Sequence, residues 1–170
     1  MNLQEYNKAR DDWREEYGWI LEACPSLRYC HSYNRMGEVV SLYDERPPDV
    51  WWKVLGYEWG TCDDIYCYTD WLSPRFKRCS RLRLNMMSKE DRAVYHTLPD
   101  TLTIHRGCYA ENAYGMSWTL DKDLATKFPA LNRYYRHGEQ PLVLTRTIPK
   151  RECVYHNSRD EQEIITWVPS

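Results

Sequence analysis

The sequence predicts an α+β fold in which a helical and irregular N-terminal lobe packs on a sheet-forming core. Helical patterns and polar residues dominate up to residue 87, and alternating or β-branched runs fill most of the chain after residue 100. The 170 residues match the usual length of one domain, about 100–200 residues. We therefore expect 1–170 to form a single domain, with a lobe over 1–87 and a core over 88–170.

The composition excludes several classes of protein. The net charge is −2, and 42% of the residues are hydrophobic, so the chain is too apolar and too weakly charged to be disordered. No run approaches the ~18 apolar residues of a membrane span. The N-terminal stretch is highly charged and lacks the apolar segment of a secretory signal, so we expect a cytoplasmic protein.

The aromatic residues are unusual in kind. There are 14 Tyr and 8 Trp but only 2 Phe, so nearly every large ring carries a polar group. Such rings suit half-buried surfaces, clefts and interfaces better than a dry core. We expect them to mark binding surfaces.

The chain contains seven cysteines, an odd number. Without an export signal, reduced thiols are the expected state. Two zinc-ligand sets are conceivable: Cys62, Cys67 and Cys79, or Cys24, Cys30 and His31. No CxxC pair exists, whereas structural zinc sites usually contain closely spaced ligand pairs, so we predict no metal.

Periodicity and breaker residues locate the elements. Four helices are predicted: 3–24 stopped by Pro25, 50–59 started by Pro47-Pro48-Asp49 and closed by Gly60, 89–98 capped by Ser88, and 121–128 capped by Asp121. Five strands are predicted over 101–107, 115–120, 141–148, 152–156 and 161–168. Residues 61–74 show no clear period, and we expect loops or short strands there.

A basic stretch over residues 75–83 contains no acidic residue. One interpretation is a surface that binds nucleic acid or an acidic partner. The alternative is a solvated face whose charge balances the acidic residues before it. We prefer the solvated face, because nucleic-acid-binding domains are usually basic as a whole. The basic residues are Arg75, Lys77, Arg78, Arg81 and Arg83.

Three motifs in the core carry candidate chemistry. Arg106-Gly107 closes the first strand, where the arginine fork can bind an anion and the glycine permits close approach of a ligand; a solvated arginine is the alternative. In Ser117-Trp118-Thr119 the two hydroxyls share one side of a strand, or they serve only to cap the next helix.

The third motif is Glu161-Gln162-Glu163 at the mouth of the last strand. Carboxylates two residues apart in a strand point to the same side and repel each other. This arrangement favours a site that needs negative charge. A charged edge strand is the alternative, but the apolar continuation Ile164-Ile165 indicates a central strand.

The three motifs, in this order and strand context, resemble the Arg–Ser–Glu class of ADP-ribosyltransferases over about residues 88–170. The short connection between Arg106 and Ser117 is similar to that of compact bacterial and phage-type members. The resemblance implies a split antiparallel sheet, NAD as co-substrate without a metal, and transfer of ADP-ribose to a protein side chain, arginine first, as an intracellular effector.

The resemblance also implies roles for the site residues. Glu163 stabilises the oxocarbenium-like transition state when the nicotinamide–ribose bond breaks, and Glu161 faces the acceptor. Arg106 holds the diphosphate, with Gly107 beside it. Ser117 contacts the ribose or orients Glu163, with Thr119 in support. The middle position of the serine motif is Trp118.

Other readings remain open. Water instead of a protein acceptor would make the protein an NAD glycohydrolase, and a non-catalytic inhibitor or binding protein could use the same fold. We expect His105 to be a packed core histidine, because it faces opposite Arg106 in the strand. Cys108 lacks the partners of a thiol hydrolase. Tyr134 and Tyr135 either cover the nicotinamide or simply pack.

Overall fold

The computed structural model describes residues 15, 17–131, 134–156 and 161–168, and they form an α+β fold, as predicted. Six α-helices are described: α1 over residues 17–23, α2 (Arg35–Ser41), α3 (Pro48–Trp59), α4 (Thr69–Arg78), α5 (Lys89–Thr97) and α6 (Lys122–Lys127). Five strands follow α5: β1 (Thr101–Cys108), β2 (Ser117–Thr119), β3 (Leu142–Pro149), β4 (Cys153–His156) and β5 (Glu163–Thr166). None of the described helices has the length and hydropathy needed to cross a membrane.

Local chemistry sets the helix boundaries. Ser88 accepts a hydrogen bond from the Asp91 amide, and Asp91 accepts one from the Ser88 amide, so a capping box begins α5 as the sequence predicts. The Asp121 carboxylate accepts two amide hydrogen bonds at the start of α6. The predicted helix over 3–24 is described only near its C-terminal end, where α1 stops before Pro25.

Residues 61–74 differ from the prediction. A 3₁₀ turn covers Ile65–Tyr68, and α4 follows directly. The buried face of α4 includes Thr69 and Ser73 beside Leu72 and Phe76, so its apolar period is weak in the sequence. Pro74 inside the helix also hides it, since proline normally ends a helix.

The strands form one antiparallel sheet in the order β3-β1-β2-β5-β4. β1 pairs with β3 along its whole length, but it meets β2 through the single pair His105–Thr119. Beyond this pair β1 and β2 diverge, so the sheet separates into a β1–β3 ladder and a β2–β5–β4 ladder. The sheet nevertheless remains continuous, with β1 and β2 joined at this one position. β5 is central, which excludes a charged edge strand.

The predicted basic stretch does not form one surface. Arg83 is buried, donates to the backbone carbonyls of Phe76 and Arg151, and lies over the rings of Phe76 and Trp167. The Arg75 guanidinium stacks 3.5 Å from the Trp71 ring centroid. Three cations of the stretch remain exposed: Lys77, Arg78 and Arg81.

The tryptophans of the N-terminal lobe correct the expectation of wet aromatic surfaces. Trp51, Trp52 and Trp59 are buried in α3, within a hydrophobic core that also contains Ile104 and Ile164 of the sheet. The Trp51 indole donates to the Val39 carbonyl over 2.7 Å. A buried indole costs little when its N–H is paired, which explains how these rings fill a core.

Candidate functional site

The candidate site is an open cleft of about 590 Å³ where β1 and β2 diverge. Strands β1, β2 and β5 supply one side, and residues 59–67 of the N-terminal lobe supply another. All seven site residues predicted from the sequence line it: Arg106, Gly107, Ser117, Trp118, Thr119, Glu161 and Glu163. The fold therefore brings the three predicted motifs to one place.

Strand register builds the polar centre of the cleft. His105 pairs with Thr119, Thr119 with Glu163, and Glu163 with His156. Directly opposite residues in antiparallel strands place their side chains on the same face, about 5 Å apart. A row of polar side chains therefore crosses β1, β2, β5 and β4 at one level, and its first three members line the cleft.

His105 is not a packed core residue, contrary to the sequence prediction. It is half-buried, lines the cleft, and its Nδ1 lies 3.0 Å from the Thr145 hydroxyl on β3. The prediction assumed that neighbouring residues of a strand cannot both reach the cleft, yet His105 and Arg106 both line it. The Arg106 guanidinium donates to the Ser117 carbonyl of β2, and His105 lies opposite Thr119 in the pairing of β1 with β2.

Glu163 is buried but still lines the cleft. The Trp59 indole donates to its Oε1 over 2.9 Å, and His156 Nδ1 lies 3.5 Å from its Oε2. Because burial reduces the screening by water, the negative charge of Glu163 would attract a cation in the cleft strongly. The sequence analysis did not identify Trp59 or His156 as neighbours of this carboxylate. Ser117 pairs with Ile165, so it lies diagonally across from Glu163.

Glu161 reaches the cleft by a different path from the predicted one. Gln162 has a φ of +46°, in the left-handed region, and β5 begins only at Glu163. The two-residue alternation of a strand therefore does not relate Glu161 to Glu163. The Thr119 hydroxyl donates to the Glu161 carbonyl over 2.8 Å, so Thr119 holds the turn that carries Glu161.

Arg106 acts first as a structural bridge. Its guanidinium donates to the Ser117 carbonyl over 2.6 Å and to the Asn112 carbonyl over 3.0 Å. Its Nε is buried without a hydrogen-bond partner among the described residues. In the same part of the chain no carboxylate lies within ion-pair distance of it. Burial lowers the pKa of Arg106, which leaves a desolvated cation at the cleft.

Gly107 lines the cleft and also has a packing role. A Cβ here would lie 1.8 Å from the Ala125 carbonyl of α6 and 2.8 Å from the Pro129 ring. Only glycine lets β1 approach α6 this closely. Trp118 is mostly buried in the core, with its indole donating to the Gly115 carbonyl over 3.1 Å.

Cysteines and tyrosines complete the lining. Burial raises the pKa of Cys62 to about 12 and also raises the pKa of Cys108, so both are protonated thiols at neutral pH and poor nucleophiles. Tyr134 and Tyr135 lie at the rim with exposed rings, whereas Tyr114, 71% exposed, does not line the cleft. The described residues contain no cluster of three or more His, Cys, Asp or Glu side chains that could hold a metal ion.

No protein-family model, no curated protein and no solved structure matches this chain.

Proposed function

We propose that the protein is a mono-ADP-ribosyltransferase that cleaves the nicotinamide–ribose bond of NAD. One observation carries the proposal: a buried carboxylate, Glu163, opens into a cleft that also contains Ser117 and Arg106. This is the arrangement that the Arg–Ser–Glu resemblance implies. The cleft has a volume of about 590 Å³, within the range of ligand pockets.

The chemistry needs a fixed negative charge more than a general acid. When the C1′–N bond breaks, its electron pair leaves with nicotinamide, which becomes neutral, and the ribose becomes an oxocarbenium-like cation. A carboxylate placed beforehand stabilises that charge without reorganisation. Glu163 serves in this role, since its two oxygens are already oriented by Trp59 and His156. Each oxygen keeps acceptor capacity for a ribose hydroxyl.

Arg106 supplies positive charge for the diphosphate. Two of its five N–H groups are used on backbone carbonyls. With no carboxylate partner among the described residues, its charge is balanced best by an anionic ligand. The half-buried Ser117 lies beside it for a ribose hydroxyl, and Thr119 supports Glu161.

The acceptor is a protein side chain, arginine first, in a host or competitor protein in the cytoplasm. Glu161 and the exposed Asp63 line the same cleft as Glu163, so an incoming guanidinium meets negative charge there. A carboxylate binds a guanidinium in the bidentate geometry that suits it. The attacking nitrogen then forms the new bond to C1′ and loses its proton to a carboxylate.

Labelled NAD tests the proposal directly. The full chain is incubated with NAD labelled in the adenylate and with a cell lysate, and both nicotinamide release and labelled protein are measured. We expect both products. Release of nicotinamide and free ADP-ribose without labelled protein would indicate a glycohydrolase. The absence of both nicotinamide release and labelled protein would refute an NAD-cleaving enzyme and favour a binding protein.

Replacing Glu163 tests whether its carboxylate takes part in the cleavage of NAD. Glu163→Gln should lower nicotinamide release by roughly 100-fold or more, because the transition-state charge loses its partner. Glu90→Gln, at an exposed carboxylate of α5, is the matched control and should retain full activity. Release by Glu163→Gln at the rate of the control would disprove the assignment.

A further inference from the structure

The Glu163 carboxylate lies between two nitrogen-bearing rings from different parts of the chain. Trp59 at the end of α3 donates to Oε1 over 2.9 Å, and His156 on β4 places Nδ1 3.5 Å from Oε2. Trp59 is 1% exposed and His156 is 8% exposed. His156 does not line the cleft, so it acts on the site only through Glu163.

The backbone of α3 fixes the protonation of His156. Its Nε2 lies 2.9 Å from the Gly56 carbonyl, and because a carbonyl only accepts, Nε2 carries a proton. In a neutral ring, Nδ1 would then present a lone pair to the Glu163 carboxylate. In the imidazolium form, the protonated Nδ1 lies within ion-pair distance of the carboxylate, 3.5 Å from Oε2, without a hydrogen bond between them. The geometry therefore favours the cation.

The surrounding charges agree with this state. Burial alone would lower the pKa of His156, but the Glu163 carboxylate raises it, with smaller contributions from the Gly56 carbonyl of α3 and from Asp91 of α5. The net direction is upward from the ordinary value. Among the described residues, these are the groups on β5, α3 and α5 that act on the ring.

We propose that Trp59 and His156 are positioning residues that hold the Glu163 carboxylate oriented for the reaction. This inference rests on the proposed function and extends it, because both residues act through the Glu163 carboxylate. The indole fixes one carboxylate oxygen, and the imidazolium pairs by charge with the other. The N-terminal lobe is then part of the active centre, since α3 supplies both Trp59 and the carbonyl that orients His156.

Trp59→Phe tests the indole. Losing a hydrogen bond to a charged group should lower kcat for nicotinamide release by about 10- to 100-fold, while the KM for NAD changes little. Trp51→Phe is the matched control: it removes an indole bond from the same helix, made to the Val39 carbonyl. It should lower the melting temperature and leave kcat unchanged. Equal kcat in the two variants would overturn the role of Trp59.

Two substitutions separate the contacts of His156. His156→Asn retains a neutral donor at the position of Nδ1, facing Glu163, and His156→Gln retains one at the position of Nε2, facing the Gly56 carbonyl. We expect Asn to preserve more of kcat than Gln. In the wild type, kcat should fall as the pH rises through the pKa of His156, because Nδ1 then loses its proton. That alkaline fall should be missing in both variants, and its persistence would refute the role.

Nuclear magnetic resonance tests the pair without any turnover. A pH titration of the His156 ring nitrogens should show Nε2 protonated throughout and a midpoint that is lower in Glu163→Gln than in the wild type. Equal midpoints would overturn the pairing. A shifted midpoint with unchanged kcat in both sets of variants would refute the positioning role alone. A wild type that releases no nicotinamide would refute the proposed function, and the positioning role with it.

Discussion

Arg106 shows how one residue serves both the fold and the cleft. β1 and β2 share one backbone pair, and beyond it the Arg106 guanidinium spans the gap to the carbonyls of Ser117 and Asn112. It thereby replaces part of a missing ladder with side-chain hydrogen bonds. The space beside Gly115 is filled by the same guanidinium. The junction between β1 and β2 therefore depends on a planar donor of this shape.

Arg106→Lys tests this structural role. An ammonium group cannot reproduce two divergent bonds from a planar fork, so the free energy of unfolding should fall by about 2 kcal/mol or more. The change is measured by denaturant unfolding without NAD, which separates it from any role in binding. Arg81→Lys, at an exposed position, is the control and should be neutral. Equal stability of the two variants would contradict the bridging role.

At the scale of elements, α3 connects the lobe to the site. It packs closely on the 3₁₀ segment Leu82–Met86, and a Cβ at Gly56 would lie 2.1 Å from the Met86 carbonyl and 2.4 Å from its Cα. One turn later the same helix presents Trp59 to Glu163. The depth at which α3 sits therefore sets the position of the indole and of the Gly56 carbonyl.

Gly56→Ala should push α3 away from this segment. The clash is with backbone, which has little room to move, so we expect the free energy of unfolding to fall by about 3 kcal/mol, with loss of activity. Gly18→Ala in α1 is the matched control, since a Cβ there meets nothing within 4 Å. It should raise stability by about 0.5–1 kcal/mol. Thermal and denaturant unfolding of both variants measure the difference, and a stable Gly56→Ala would refute the close packing.

At the scale of the molecule, the lobe and the sheet share one hydrophobic core. The buried residues include Trp51, Trp52 and Leu55 of α3 together with Ile104, Val154 and Ile164 of the strands. The cleft likewise takes residues from both parts. The candidate site is therefore formed by the packing of both parts.

A fragment comprising residues 88–170 should not fold by itself. Without α3 the sheet face would expose its apolar residues to water, and a domain's net stability of 5–15 kcal/mol does not survive such a loss. We expect no cooperative thermal transition and no tertiary dispersion in a proton–nitrogen correlation spectrum. A well-dispersed spectrum would show that the core is independent and that the lobe is an accessory.

The sequence alone predicted the elements whose signals are local. Capping by Ser88 and Asp121 depends on neighbouring residues, and the alternation of β1 depends on a short repeat, so each could be predicted from the sequence and each is confirmed. The motifs around Arg106, Ser117 and Glu163 were also readable, because residue type and strand context are local. Helix α4 was missed, since Pro74 and its polar buried positions obscure its period.

Only the tertiary structure decided which residues meet. The register that aligns His105, Thr119, Glu163 and His156 depends on pairing between distant strands, and the bond from Trp59 to Glu163 joins residues 104 positions apart. No local pattern encodes such contacts, because they arise when separate apolar faces are buried together. The sequence thus determined the elements with strong local signals and the candidate carboxylate, and packing determined what surrounds that carboxylate.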